Sequence, residues 1–534
     1  VSLKTRLLGS PLYDLLLRVK TPDGLLASIS DPWPGEPAEA DRMFQGRYRF
    51  SGEEVSVGSN APWLGPGRSA SWSAALHDFT WLRHFEAAGG DAARRHVRAL
   101  VLSWITRFNH WHPLAWRSDI TGRRIVNWIS HAQLLQERAE EGFSAAFLRS
   151  LARQARHLHF TLDDAAAGPP RLIALIGAVY ATLALPGETG RQAKAMQALA
   201  REVQRQVLAD GGHISRNPSV QHAVLRDLIA LRLALSQAQV AVPEWLQHAI
   251  DRMAPMLRFF RHGDGGLALF HGSEEDVGAA LDHTLATADS RGRPLDSATF
   301  TGYERLASRK SFLIADAGQP PLAASGSMPH ASPLAFEFSH GRDRLVVNCG
   351  MAQRQERSQW AAALSSSPAH STLTFSDANA FDLANPDNAS VLAVRDEQDG
   401  AIWLDLSHEG YRRRFGLVHR RRLYLAATGD DLRGQDSLEG PGLEAAGGKR
   451  FAIRFHLHPT AQASILGNGA TVLVKAGSGL GWQFRASGGA IAVEDSVYFG
   501  RGREQRRNQQ IVVAGMISSA EPVLVKWAFS RVGG

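Results

Sequence analysis

Cysteine is almost missing: one thiol, Cys349, stands among 534 residues, in the apolar run "RLVVNCG". A lone Cys excludes an intrachain disulfide and a thiolate zinc cluster. It suits a small buried hydrophobe on a strand, and it demands no oxidising compartment. Long apolar runs are missing too. The longest, "LIALIGAVYATLAL" (Leu172 to Leu185), falls short of the roughly 20 residues that span a bilayer and predicts a buried helix instead. At the start, "VSLKTRLLGSPLYDLLLRVK" interleaves charge with apolar residues, as an amphipathic helix does and a signal core does not. The chain as given is therefore expected in the cytoplasm, or in the periplasm or medium if a leader has been removed. Several signatures are absent: no Walker loop, no Rossmann glycines after a strand, no H-E-x-x-H and no G-x-S-x-G. "HGDGG" is a turn, not a phosphate cradle.

What remains is a long chain of ordinary globular composition, 44% hydrophobic and 21% charged, long enough for two or more domains. Lys and Arg number 59 against 52 Asp and Glu, a net charge of +7, which favours an acidic partner: nucleic acid, an anionic membrane or an acidic polysaccharide. The first half carries helical spacing. In "SVQHAVLRDLIALRLALSQA", Val220, Val224, Leu228, Leu231 and Leu235 form one stripe. Similar patterns fill "AARRHVRALVLSWITRFNHW", "GRRIVNWISHAQLLQERAEE" and "AAFLRSLARQARHLHFTL", with short loops between. Many consecutive helices predict a toroid or a solenoid. From about Gly302 the period changes to alternation, as in "RLVVNCG", "KRFAIRFHLHP" and "VLVKWAFSRV", with Gly, Asp and Asn at the turns. That predicts an all-antiparallel sheet domain, a sandwich. The expected division is an N-terminal segment over 1–70 with a hairpin in "GRYRFSGEEVSVG", a helical domain over 71–300 and a β-sandwich over 301–534, an α+β multidomain fold.

Four clusters concentrate polar chemistry. "DGGHISRNPSVQH" joins two helical patterns, with Asn217 placed to cap and Pro218 at the first helical position. His213, Arg216 and His222 exceed what a cap needs, and a helix start favours an anion, so a substrate carboxylate is the expected guest. In "PAHSTLTFSD", His370, Thr372 and Thr374 share the polar face of a strand. "DLSHEGYRRRFGLVHRRR" gathers His408, Tyr411 and six Arg, among them Arg413, into a guanidinium-lined groove or a solvated hairpin. "NHWHPLAWRSDITGRRIVNW" sets Trp111, Trp116 and Trp128 beside Arg117, Arg123 and Arg124, as sugar platforms with anion clamps or as core. His456 and His458 share a strand face without an evident third metal ligand. His370 and His408 with an Asp have the types for a metal site.

These pieces, with "DFTWLRHFEAAG" and "TGYERLASRKSFLIADAGQPP", stand in order from about Leu76 to the C-terminus, and the chain resembles the heparinase II/III family of polysaccharide lyases. The resemblance implies an incomplete helical toroid followed by an antiparallel β-sandwich, with the active site in the cleft between them. It implies β-elimination at a uronic acid of a polysaccharide, needing no cofactor, with a structural zinc or calcium ion in the sandwich as an option. The expected partner is thus an acidic polysaccharide, glycosaminoglycan-like or a bacterial polyuronate, not nucleic acid. By the resemblance Asn217 neutralises the substrate carboxylate, with His213 and Arg216 as helpers, and His370 is the sandwich histidine. The family's tyrosine loop is here "GDGGLALFHGSEED", which has no Tyr and offers His271; Tyr303 follows it. Two other classes stay open: a non-catalytic binder of anionic polysaccharide, and a toroid-type hydrolase using two of Asp264, Glu274, Glu275 and Asp276, whose crowding reads better as a solvated acidic turn.

Overall fold

The computed structural model describes residues 3–58, 60–64, 68–321, 325, 329–352, 360–383, 390–467, 469–502, 504–518 and 520–533. Val1 and Ser2 of the first predicted helix lie outside them. The rest of that segment forms two short helices, Leu3–Leu8 and Pro11–Leu16, parted where the Ser10 side chain accepts from the Tyr13 N–H and starts the second.

The chain divides into two compact units, Val1–Gln206 with Arg226–Ile250, and Val207–Leu225 with Asp251–Gly534. The division differs from an expected break near residue 300. The segment around Asn217 and the chain after Ile250 belong to the sheet-bearing unit.

The first unit is helical, from Ala70–Asp78 through Gly90–Arg107, Ser118–Ser130, Glu141–Thr161 and Pro169–Ala184 to Gln192–Gln206. Gly122 and Gly177 let two of these helices touch backbone to backbone, since a Cβ on Gly177 would lie 2.4 Å from the Gly122 Cα. The predicted hairpin is present: Arg47–Phe50 pairs with Glu53–Ser56 around Ser51 and Gly52, both at positive φ as a two-residue turn requires.

The second unit holds two antiparallel sheets. One runs, in spatial order, Ala490–Tyr498, Arg506–Met516, Arg450–Leu457, Asp343–Val347, Phe336–His340, Ser311–Asp316, Tyr303–Ser308, Ser297–Ala298, with Leu373–Phe375 beside Arg450–Leu457. For the other, six strands are named: β1 (Val391–Gln398), β2 (Ala401–His408), β3 (Val418–Leu425), β4 (Asp431–Glu439), β5 (Gly481–Ser487) and β6 (Val523–Arg531). Their spatial order is β5-β6-β4-β3-β2-β1, with two short strands beyond β5. Alternation explains the sandwich. In β3, His419, Arg421, Leu423 and Leu425 are buried while Arg420 and Arg422 are exposed. The inward residues of both sheets meet in one core, where Phe336 of the first stacks at 5.5 Å on Trp527 of the second.

Candidate active site

The "DGGHISRNPS" turn folds as a cap should. Asn217 precedes helix Pro218–Gln237, and its Oδ1 accepts from the Ser219 and Val220 N–H groups at 2.9 and 3.1 Å. Its amide nitrogen donates to the His271 carbonyl at 2.8 Å. One amide N–H remains for a guest, since Asn carries two.

Three histidines gather beside it. His271 and His330 rings lie 6.0 Å apart and His330 and His370 rings 5.2 Å apart. A Cβ on Gly272, which has φ +83°, would sit 3.6 Å from His330 Nε2 and 3.7 Å from the Asn217 amide nitrogen. The imidazole, the amide and the Met351 sulfur, also at 3.6 Å, thus converge on Gly272, with room for about one methyl group between them. His271, in the left-handed region at φ 49°, holds its ring beside this space.

Hydrogen bonding fixes the tautomers. His370 Nδ1 donates to the Ser366 carbonyl at 2.9 Å, so a neutral ring has a bare Nε2. That Nε2 accepts from His330 Nδ1 at 3.1 Å. His330, if neutral, then carries its lone pair on Nε2, a buried atom with no hydrogen-bond partner among the described residues. Burial keeps the rings neutral. It pushes His370 down to about 4, holds His330 well below its ordinary range, with the neighbouring His370 and His271 as further causes, and lowers His271. His271 Nδ1 accepts from the His330 backbone N–H at 3.4 Å, and its Nε2 faces Asp316 at 3.4 Å.

Asp316 anchors the group. It pairs with Arg216 at 2.5 Å and accepts from the Ser332 hydroxyl at 2.8 Å. Against the desolvation that burial imposes, Arg216 and His271 hold its carboxyl far below the usual range.

Several expected ligands are spent on structure. Arg216 also donates to the Thr301, Gly302 and Gln319 carbonyls, so with the Asp316 bond four of its five N–H donors are spent on the protein. The Tyr303 hydroxyl donates to the Arg216 carbonyl at 2.6 Å, and burial raises its pKa well above the ordinary value, which removes it as a base. His213 pairs locally with Ser215 at 2.8 Å, and burial pushes it down to about 3. His222 bridges Asp276 and Thr284 at 2.8 and 2.9 Å.

His370 is not on an exposed strand face. It follows a short 3-10 turn, and Thr372 and Thr374 are buried with it. His408 is buried against His419, Phe381 and Tyr411 instead of joining His370. Tyr411 is buried and donates to the Leu373 carbonyl at 3.2 Å. Of the Arg run, Arg421 is sealed against Asp436 at 2.8 Å, whereas Arg413 is exposed on the short helix Arg412–Phe415.

In the helical unit, Trp116, Arg124 and Trp128 are buried. Arg124 donates to Gln154 at 2.6 Å and to the His77 and Ala115 carbonyls, and covers the Trp104 ring at 4.2 Å. These three residues are core, because a buried ring has no face left for a sugar.

The acidic loop is solvated only in part, with Asp276 exposed and Glu274 and Glu275 half-buried. Asp264 pairs with Arg344 at 2.8 Å, and Glu275 pairs with His458 at 3.2 Å and accepts from the Tyr498 hydroxyl. Together with the His222–Asp276 pair, these contacts engage three of the four carboxylates considered for a hydrolase. Among the described residues no three His, Cys, Asp or Glu side chains converge on a metal position. His456 is bonded to Ser496 and the Pro368 carbonyl at 2.8 and 2.9 Å.

Sequence reasoning missed His330 and Asp316. His330 sits in "SMPHASP", where nothing marks it. Asp316 ends the apolar strand "SFLIAD", and a carboxylate there signals a buried cation partner.

A family model, heparinase II/III-like, C-terminal, matches residues 290–528. FtsZ-localized protein C of Caulobacter vibrioides is 34% identical over 98% of this chain and 93% of its own length. The chain belongs to the heparinase II/III-like family. A crystal structure of heparinase III aligns at TM-score 0.76 and 14% identity, over 97% of this chain and 87% of that one. A heparan sulfate lyase from Pedobacter heparinus aligns at 0.63 and 14% identity, over 98% and 87%. These matches give the fold of the family's heparinase III members, a helical toroid followed by an antiparallel β-sandwich. Membership supports chemistry of the polysaccharide-lyase type.

Proposed function

We propose that this protein cleaves a uronate-containing polysaccharide by β-elimination at the Asn217, His271, His330 and His370 cluster. One observation carries the reading: an unpaired imidazole nitrogen, His330 Nε2, borders the same small space as the Asn217 amide. The C5 proton of a uronate is acidic only when the adjacent carboxylate is neutralised, because a second negative charge develops on it as the proton leaves. The remaining Asn217 N–H meets that carboxylate. His330 Nε2 takes the C5 proton, the C5–H electron pair forms the C4–C5 double bond, and the C4–O4 bond breaks. The same Nε2–H then protonates the departing O4, so proton and charge balance within one imidazole. His370 and the Ser366 carbonyl hold the ring in the required tautomer. Asp316 holds the His271 ring beside them. Arg216, through Asp316 and the loop carbonyls, keeps that pair in place.

Incubation with heparan sulfate, alginate and polygalacturonate tests the reading by the absorbance of a conjugated unsaturated uronide. Reducing ends without that absorbance indicate hydrolysis and overturn it. Binding with neither signal supports a non-catalytic polysaccharide binder.

The Caulobacter relative favours a second, independent reading: that this protein, like the relative's name, localises with FtsZ. A fluorescent fusion that stays diffuse in dividing cells rejects it.

A further inference from the structure

The outer face of the β1–β6 sheet carries a second concentration of aromatic and cationic groups, away from the histidine cluster in sequence and on the solvent side of the sandwich. Pairing aligns it in rows. Trp403 of β2 lies opposite Tyr424 of β3, Tyr424 opposite Arg433 of β4, Arg433 opposite Ala528 of β6, and Ala528 opposite Arg485 of β5. One step along the strands, Asp405, Arg422, Gln435, Lys526 and Ser487 form a parallel row. Directly opposed residues project to the same side of a sheet, so both rows face outward, with Trp403, Arg422, Arg433, Arg485 and Lys526 exposed. Strand spacing of about 4.8 Å makes each row about 19 Å long.

Apart from Asp405 at the end of the second row, these residues line a depression of about 510 Å³, whose walls include Arg422, Arg433, Arg485 and Lys526. Short side chains at Ala528 and Ser487 lower its floor. Trp403 and Tyr424 rings pack 4.4 Å apart at one end, with the Arg433 guanidinium 5.6 Å above Tyr424. Arg422 and Arg433 are paired to Asp405 and Asp431, but Arg485 and Lys526 have no ion-pair partner among the described residues. Isolated cations with no internal partner contribute little to folding. Exposed aromatics beside them present flat faces of mixed apolar and π character.

We infer that this face is a non-catalytic binding site for an anionic polysaccharide. The chain crosses the strands along the first row, sugar faces against Trp403 and Tyr424, with carboxylate or sulfate groups on Arg433, Arg485 and Lys526. Charge spacing selects this occupant. Asp396, Asp405 and Glu439 are interleaved on the same sheet and oppose the dense phosphate charge of a nucleic acid. A polyuronate or sulfated glycan, with charge on spaced rings, meets the cations and passes the carboxylates.

The test is affinity gel electrophoresis of the full chain carrying His330→Gln, so that turnover does not consume the polymer. Polygalacturonate, heparan sulfate, dextran and poly-glutamate are each cast in the gel. Retardation by at least one of the two acidic polysaccharides is expected, and none by dextran. Trp403→Ala, and separately Arg485→Ala with Lys526→Ala, should each raise the dissociation constant about tenfold. Both sets are exposed, and an unchanged melting temperature shows that they leave the fold intact. No retardation by either acidic polysaccharide overturns the inference, as does retardation that the outer-face substitutions leave unchanged. Equal retardation by poly-glutamate that ignores Trp403→Ala assigns the face to an acidic protein instead and also overturns it. Absence of lyase activity leaves each of these outcomes readable, because none depends on turnover.

Discussion

Two buried networks in the sheet-bearing unit share their residue types and differ in what they leave unsatisfied. Each joins an arginine and an aspartate to buried histidines, two in the first network and three in the second. In one, Arg421 and His419 meet Asp436 at 2.8 and 2.7 Å, and His419 accepts from His408 at 3.1 Å. The circuit closes: the Gly410 N–H donates to His408 Nδ1, and the Trp527 indole donates to Asp436. In the other, Arg216 and His271 meet Asp316, and His330 and His370 follow, but His330 Nε2 is left open beside Asn217 and Gly272. A fully satisfied buried network specifies a core. One that stops at a lone pair next to space is where chemistry can enter.

The comparison breaks first, and by the largest effect, at Asp436→Ala. That change strands a buried guanidinium, an imidazole N–H and an indole N–H together. It should cost about 3–5 kcal/mol of unfolding free energy, read from denaturant titration. A loss under about 1 kcal/mol would show that the closed circuit does not hold the sandwich. His330→Gln is the converse. It removes the open nitrogen and with it the single hydrogen bond from Nδ1 to His370, so stability should fall by only about 0.5–1.5 kcal/mol. On a substrate found by the polymer panel, kcat should fall about 10²–10⁴-fold. If His330→Gln turns over at the wild-type rate, the base lies elsewhere.

Asn217 sharpens the contrast at intermediate size, because it serves both packing and chemistry. Asn217→Asp keeps an oxygen to cap the helix but presents a negative charge to the substrate carboxylate. kcat should drop about 10²-fold or more, and the melting temperature should fall as well, because the aspartate loses the N–H that donates to the His271 carbonyl and buries a charge in its place. Asn217→Ala should lose activity and also about 0.5–2 kcal/mol of stability with the cap. Equal activity in the aspartate variant would reduce Asn217 to a helix cap.

The same contrast explains what could be read from the sequence. Periodicity is local, so the change from helical spacing to alternation was legible, as was the stripe in which Val224, Leu228, Leu231 and Leu235 are buried. Asn217 was legible as a cap because Asn-Pro-Ser carries its own mechanism. Arginine was not. Arg124, Arg216 and Arg421 look like anion clamps in the sequence, and each is buried on carbonyls, carboxylates or rings supplied by residues far along the chain. A charged residue beside a Trp reads the same whether it faces a sugar or a core. His370 was legible through its motif, but the polar-face argument around it failed because both sides of Leu373–Phe375 are covered. His330 had no local mark at all. Only the tautomer chain from the Ser366 carbonyl singles it out, and that chain is built by tertiary contacts.

Acid provides the mildest probe, and it acts on both networks at once. Burial lowers His330 and His408 well below the ordinary value of 6.5, pushes His370 down to about 4 and lowers His419. In the unfolded chain these groups take up protons as pH falls through about 6.5, while the folded protein stays unprotonated. The unfolded state then binds more protons, so stability declines as pH falls, beginning near 6.5 and continuing to about 4, where His370 itself titrates in the folded state. The carboxyls of Asp316 and Asp436, held low by their arginines, contribute stability that persists through this window and is lost only at more acidic pH. The melting temperature should therefore fall steadily between pH 6.5 and 4. His330→Gln should flatten that slope by one proton's share, and His408→Gln by a similar share. A melting temperature constant over this interval would mean that the imidazoles are solvated and charged, and the open nitrogen on His330 would no longer be a base held ready.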